Sequence, residues 1–179
     1  MEKESIKVVV DLIRESSSNG KFIKYEDLNK EPISLKDDDI TKVIENITLD
    51  PEYADIVKRQ GKEHSYLYSN KKMTENYASI VFRVEEKELL KLLVETVRYE
   101  SKTYPRPTTI SLFSESPFNF NNQQVCDFLK QIIEKGEYSD ILKTKASNGS
   151  EYLYSSKYLT NDYAVALTQW IEVDQFLTP

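Results

Sequence analysis

"SYLYSNKKMTENYA" at residues 65–78 and "EYLYSSKYLTNDYA" at residues 151–164 are nearly the same phrase. In each, the alternation around "YLYS" predicts a strand, because successive side chains on a strand point to opposite faces. The threonine that follows, Thr74 or Thr160, is a residue type that caps helix N-termini. Acidic side chains just after it suit a first turn. The phrase therefore reads as the last strand of a hairpin followed by the capped start of a closing helix.

The repetition extends outward with an offset of about 85 residues. "KVVVDLIRESS" falls on "KLLVETVRYES", "EPISLKDDDITKVIENI" on "SPFNFNNQQVCDFLKQI", and "YADIVK" on "YSDILK". One extra residue in the second copy lies where a hairpin turn absorbs it. The chain is an internal duplication, with units at residues 1–83 and 84–179.

Each unit opens with an amphipathic helix, marked by Ile6, Val9, Val10 and Ile13 or by Leu90, Leu93, Val94 and Val97. A polar break follows, "SSSNGK" or "SKTYPRP". A second helix carries Ile40, Val43, Ile44 and Ile47, matched by Val125, Phe128, Leu129 and Ile132. Asp37 to Asp39, or Asn121 and Asn122, supply cap-type residues at its start. Two short strands come next, and Asn148-Gly149 between the second pair predicts a type I′ turn. The apolar phase slips at "EEKE", residues 85–88, which predicts a kink or short break near Val84–Glu86. The fold class is α+β, mainly helical.

Helix, short element, helix and hairpin, in this order and in two copies, resembles the winged-helix fold over nearly the whole chain. Paired winged helices in one acidic chain resemble kite-type subunits of chromosome-condensation complexes and some transcription regulators. The resemblance implies a protein that works by binding. It is one of topology, and fold alone does not assign function.

Composition narrows the chemistry. The single cysteine and single histidine, Cys126 and His64, exclude a disulfide framework, a cysteine zinc cage and a multi-histidine metal site within one chain. No apolar run approaches the ~18 residues of a membrane span. The acidic "MEKESIKVVVDLIRES" opening is unlike a signal peptide, so the expectation is a cytoplasmic, bacterial-type protein. There is no glycine-rich phosphate loop, G-x-S-x-G elbow or H-E-x-x-H. No catalysis and no cofactor are expected.

Two surfaces compete as the binding site. Tyr66 and Tyr68, with their counterparts Tyr152 and Tyr154, share one face of the hairpin while Leu67 takes the other. Left exposed, they form a surface for another protein, since tyrosine is favoured at interfaces. Covered by the closing helix or the other unit, they serve the fold. Trp170, with Leu167, Ile171, Phe176 and Leu177, marks a C-terminal stripe that buries on its own unit or on a second copy. Cys126 is expected as a partly buried structural thiol.

The cations lie at the wings: Lys58, Arg59, Lys62, Lys71 and Lys72 in the first copy, Lys143, Lys145 and Lys157 in the second. Residues 51–83 carry 6 Lys/Arg against 4 Asp/Glu, the one net-positive stretch, and phosphate contact is the functional reading. A net charge of −6 and three aspartates opening the would-be recognition helix oppose it. The first reading is a protein–protein adaptor or assembly subunit, and the alternative is a DNA-binding regulator using two basic wings.

Overall fold

The computed structural model describes residues 2–31 and 33–177. The chain divides into two compact units, Met1–Lys87 and Glu88–Pro179. The first runs α1 (Glu2–Ser18), β1 (Ile23–Lys24), a 3-10 turn (Tyr25–Asn29), α2 (Asp37–Leu49), a second 3-10 turn (Pro51–Tyr53), β2 (Ile56–Gln60), β3 (Ser65–Ser69) and α3 (Glu75–Glu85). The second repeats the order: α4 (Leu89–Thr103), β4 (Thr108–Thr109), a 3-10 turn (Ile110–Ser114), α5 (Asn122–Lys135), β5 (Ile141–Lys145), β6 (Glu151–Ser155) and α6 (Asn161–Glu172).

Each unit holds a three-stranded antiparallel sheet in which the last strand is central, in the order β1-β3-β2 or β4-β6-β5. A two-residue strand thus joins each predicted hairpin, pairing Ile23 with Leu67 and Thr108 with Leu153. Such a strand is too short to show periodicity, so it was not readable in advance.

The predicted apolar stripes form the cores, except that in α4 Leu92 is buried while Leu90 is only half-buried. Val9, Val10 and Ile13 of α1 pack with Ile40, Val43, Ile44 and Ile47 of α2 and with Leu67 of β3. In the second unit Phe113, Phe118 and Phe120 replace Leu28, Ile33 and Leu35. Phe113 stacks on Phe120 at 5.8 Å, and Phe128 of α5 meets Phe120 edge-on. The bend before each second helix is conserved in backbone as well as position, since Ser34 and Asn119 both have φ 53°.

Two local expectations are corrected. α2 begins at Asp37 with Lys36 in the cap position and no side-chain cap bond, so its aspartates occupy the first turn. There they favour the positive end of the helix dipole. Asn148-Gly149 is not a type I′ turn, which needs positive φ at both residues; only Gly149 has it, at 98°. Gly149 N–H instead closes a turn onto Ala146 O, and Ala146 N–H bonds Ser150 O. The expected short break falls at Glu86–Glu88, where Glu86 caps α3 and Lys87 has φ 55°. Among the described residues no helix is long and apolar enough to cross a membrane.

Candidate functional site

Tyr66, Tyr68, Tyr152 and Tyr154 are buried, so the exposed tyrosine surface does not exist. The closing helix of each unit covers that face of the sheet. Tyr68 packs with Met73 and Ala78, Tyr66 meets Phe82 edge-on, and Tyr154 packs with Leu159 and Ala164. Their hydroxyls hold the helix at both ends. Tyr68 donates to Glu75 at 2.6 Å and Tyr66 to Glu86 at 2.8 Å. In the second unit Tyr154 donates to Asn161 at 3.0 Å and Tyr152 to Glu172.

The carboxylate at the far end also clasps the hairpin turn. Glu86 accepts the Lys62 N–H at 2.9 Å. Glu172 accepts from Asn148 Nδ2 at 2.9 Å and Ser150 Oγ at 2.7 Å. Burial, then the bond to the carboxylate, pushes the Tyr68 and Tyr152 phenols up to about 12. Tyr66 rises for the same reasons, burial first and Glu86 second. The tyrosine bonds in turn hold Glu75 and Glu172 below the usual carboxylate range.

The wing cations are largely engaged. Arg59 turns onto α3, pairing with Glu75 at 2.6 Å and lying over the Phe82 ring at 5.1 Å. Lys58 lies over the Tyr25 ring at 5.0 Å. Lys71 stands 3.7 Å from Asp55, Lys143 2.7 Å from Glu151 and Lys157 3.5 Å from Asp140. The side chains of Lys62, Lys72 and Lys145 reach the exposed surface. Exposed ion pairs are cheap to break, so these partners lower the positive potential without removing it. α2 presents Asp37, Asp38 and Asp39 to solvent. α5 uses Asn121 and Gln124 in a capping box, leaving Asn122 and Gln123 exposed.

A buried ion pair occurs once in each unit. Arg14 grips Asp55 through two bonds, of 2.5 and 3.0 Å, and Arg98 grips Asp140 through bonds of 2.5 and 2.9 Å. Ser69 and Ser155 donate to the same aspartates at 2.6 and 2.7 Å. Ser17 and Ser101 accept the backbone N–H of Ser69 and Ser155 at 2.8 and 3.0 Å. Each set ties the end of the first helix to the central strand. Arginine bonding, then the serine, outweighs desolvation and holds both aspartates well below the carboxylate range. The signal was present: Arg, Ser, Asp, Ser and Lys recur at matching places in both copies. These residues carry structure, because the pair is consumed internally.

What remains open to a partner lies elsewhere. Trp170 is 52% exposed, so it is not a core residue. Tyr163 and Val165 on α6, and Phe176 and Leu177 beyond it, are exposed too. Leu167 and Ile171 turn partly inward, so the predicted stripe splits, and Tyr163, Ala166 and Trp170 share the outward face at helical spacing. Cys126 is exposed, not the partly buried thiol expected. Among the described residues no group of three or more His, Cys, Asp or Glu side chains could hold a metal ion.

The model of the YdhW C-terminal domain matches residues 3–90 and again residues 87–176. The chain belongs to that family. The uncharacterized protein YdhW of Escherichia coli (strain K12) is 29% identical over 178 residues, covering 99% of this chain and 83% of the relative. No solved structure matches. The two YdhW C-terminal domain copies thus share the tyrosine clasp and the buried ion pair but differ on the sheet face under the closing helix. Arg59 and Phe82 of the first become Thr144 and Thr168 in the second, and both threonine hydroxyls are buried without a hydrogen-bond partner.

Proposed function

We propose that the chain is a non-enzymatic binding protein built from two winged-helix-type modules, and that it docks another protein through the outward face of α6. The observation that carries this reading is the exposed apolar group along and beyond that helix, Tyr163, Trp170, Phe176 and Leu177. Aromatic side chains are enriched at interfaces, and tryptophan and tyrosine supply many of the anchors that dominate binding energy. The winged-helix reading rests on the element order and on a sheet whose last strand is central. A net charge of −6 and the paired wing cations favour a protein partner over DNA.

A photo-crosslinker placed at position 170 in the native cell, with one at the exposed position 102 on α4 as control, tests the reading. A discrete adduct to another protein from position 170 alone supports it. Adducts only to a second copy make the surface a dimer interface, and no adduct removes the reading. Fluorescence anisotropy with random-sequence duplex DNA tests the alternative. Binding that falls steeply with salt, through counterion release, would replace the adaptor reading with a DNA-binding one, and charge reversal of Lys58, Arg59 and Lys62 would then abolish it.

A further inference from the structure

We infer that a cleft in the first unit, between α1 and the α2–β2 connection, receives a basic, leucine-rich segment of a partner protein. The site goes beyond the α6 reading and does not depend on it. Its origin lies in "ITLDPEYADI", residues 47–56. Pro51 cannot continue a helix, so α2 stops at Leu49 and the chain turns through Pro51–Tyr53 into β2. The stop leaves Leu49 80% exposed. Leu49, Pro51 and Tyr53, with Ile6 from α1, supply the apolar lining of a cleft of about 560 Å³. That volume is within the usual range for ligand sites, roughly 300–1,000 Å³.

The charge around the lining selects a cation. Asp50 and Glu52 stand in the wall, and Asp50 is oriented by accepting the Glu52 N–H at 2.9 Å. They sit at the C-terminus of α2, the negative end of its dipole. The neighbouring cation, Arg14, lies over the Tyr53 ring at 5.9 Å, and its charge is committed to Asp55. Asp11 of α1 adds to the negative field. Tyr53 senses the balance: burial first, then Glu52 and Asp50, make its phenol hold the proton more tightly, against the opposing pull of Arg14.

Comparison of the copies separates this lining from the needs of the fold. Tyr53 and Asp55 are repeated as Tyr138 and Asp140, but Leu49, Asp50 and Pro51 become Glu134, Lys135 and Gly136. The second unit makes the same connection with α5 ending on Gly136 in the left-handed region. The turn can therefore be built without an exposed leucine or the Asp50 carboxylate. An apolar lining flanked by the Asp50 and Glu52 carboxylates is complementary to leucine side chains carried between lysines, the pattern of a basic amphipathic segment.

The test uses the full chain and a fluorescein-labelled synthetic peptide with leucine and lysine in an amphipathic helical repeat. A control peptide carries glutamate for every lysine. The wild-type protein should bind the lysine peptide, more weakly as salt rises, and not the glutamate peptide. Leu49→Glu with Asp50→Lys places the second copy's residues at two exposed positions and should weaken binding about tenfold or more, while Trp170→Glu leaves it unchanged. Leu49→Ser alone serves if the double variant loses its circular dichroism. Absence of binding, equal binding of the glutamate peptide, or equal binding by the Leu49 variants would overturn the assignment.

Discussion

Asp140 has a side chain that is 8% exposed and accepts from Arg98, Ser155 and, at longer range, Lys157. Removing one partner of such a pair leaves the other desolvated without compensation. Asp140→Ala should cost about 3 kcal/mol, read from urea unfolding followed by the fluorescence of Trp170, the one tryptophan, which lies in the same unit. The pair also sets an acid limit. Because the folded-state value of Asp140 is lowered, its contribution is complete above the unfolded value near ~3.9 and declines as pH falls below it. Urea midpoints measured from about pH 5 to about pH 2 should fall, and Asp140→Asn should flatten that slope; an unchanged slope would place the acid sensitivity elsewhere. Tyr152 acts at the opposite end. Its raised value means its contribution is complete below about 10 and is lost as pH rises through about 12. Tyr152→Phe should therefore lower stability at neutral pH and shrink the alkaline loss, both visible in urea midpoints against pH.

The closing helices are fixed less by their own propensity than by their ends. Thr74 and Thr160 cap α3 and α6, as their place after "YLYS" and its following turn predicts. The far ends are held by Tyr66 on Glu86 and by Tyr152 on Glu172, a pairing across 20 residues that no local pattern reveals. α5 is capped by Asn121 and Gln124 reciprocally, whereas α2 has no side-chain cap. Asn121→Ala should thus cost about 1 kcal/mol, again read through Trp170, while Lys36→Ala should change the chain's stability little. Gly149 lies at φ 98°, and a Cβ there would meet only the Lys145 side chain, at an ordinary 4.0 Å. Gly149→Ala should destabilise through backbone strain alone, by about 1 kcal/mol or somewhat more; a neutral result would mean the turn relaxes to another geometry.

Over the whole molecule, duplication separates what the architecture requires from what each copy is free to change. The ion pair, the threonine caps of the closing helices and the tyrosine clasp occur twice. The exposed face of α2 is acidic, whereas α5 shows Asn122, Gln123, Cys126 and Lys130 at the matching surface. The apolar surface of α6 also has no strict equivalent on α3, where Ser79 and Val84 stand in for Val165 and Trp170. Trp170→Glu, at a half-exposed position, should leave the thermal midpoint of the full chain nearly unchanged. A large drop would mean that the helix face is structural and not a docking surface.

The sequence by itself determined the duplication, the order of the helices and hairpins, the core stripes of α1, α2, α4 and α5, and the threonine caps. All of these depend on short-range spacing that one-dimensional patterns carry directly. Only the tertiary structure decided the fate of the side chains that face a neighbouring element. Alternation placed Tyr66 and Tyr68 on the far side of the sheet from Leu67, but whether that side met water depended on where α3 folds back. Likewise Arg59, one of the wing cations, is turned from the surface by Glu75 and Phe82 of α3, and Arg14 is committed to Asp55, 41 positions away. Contacts of that range are set by packing, and no local periodicity encodes them.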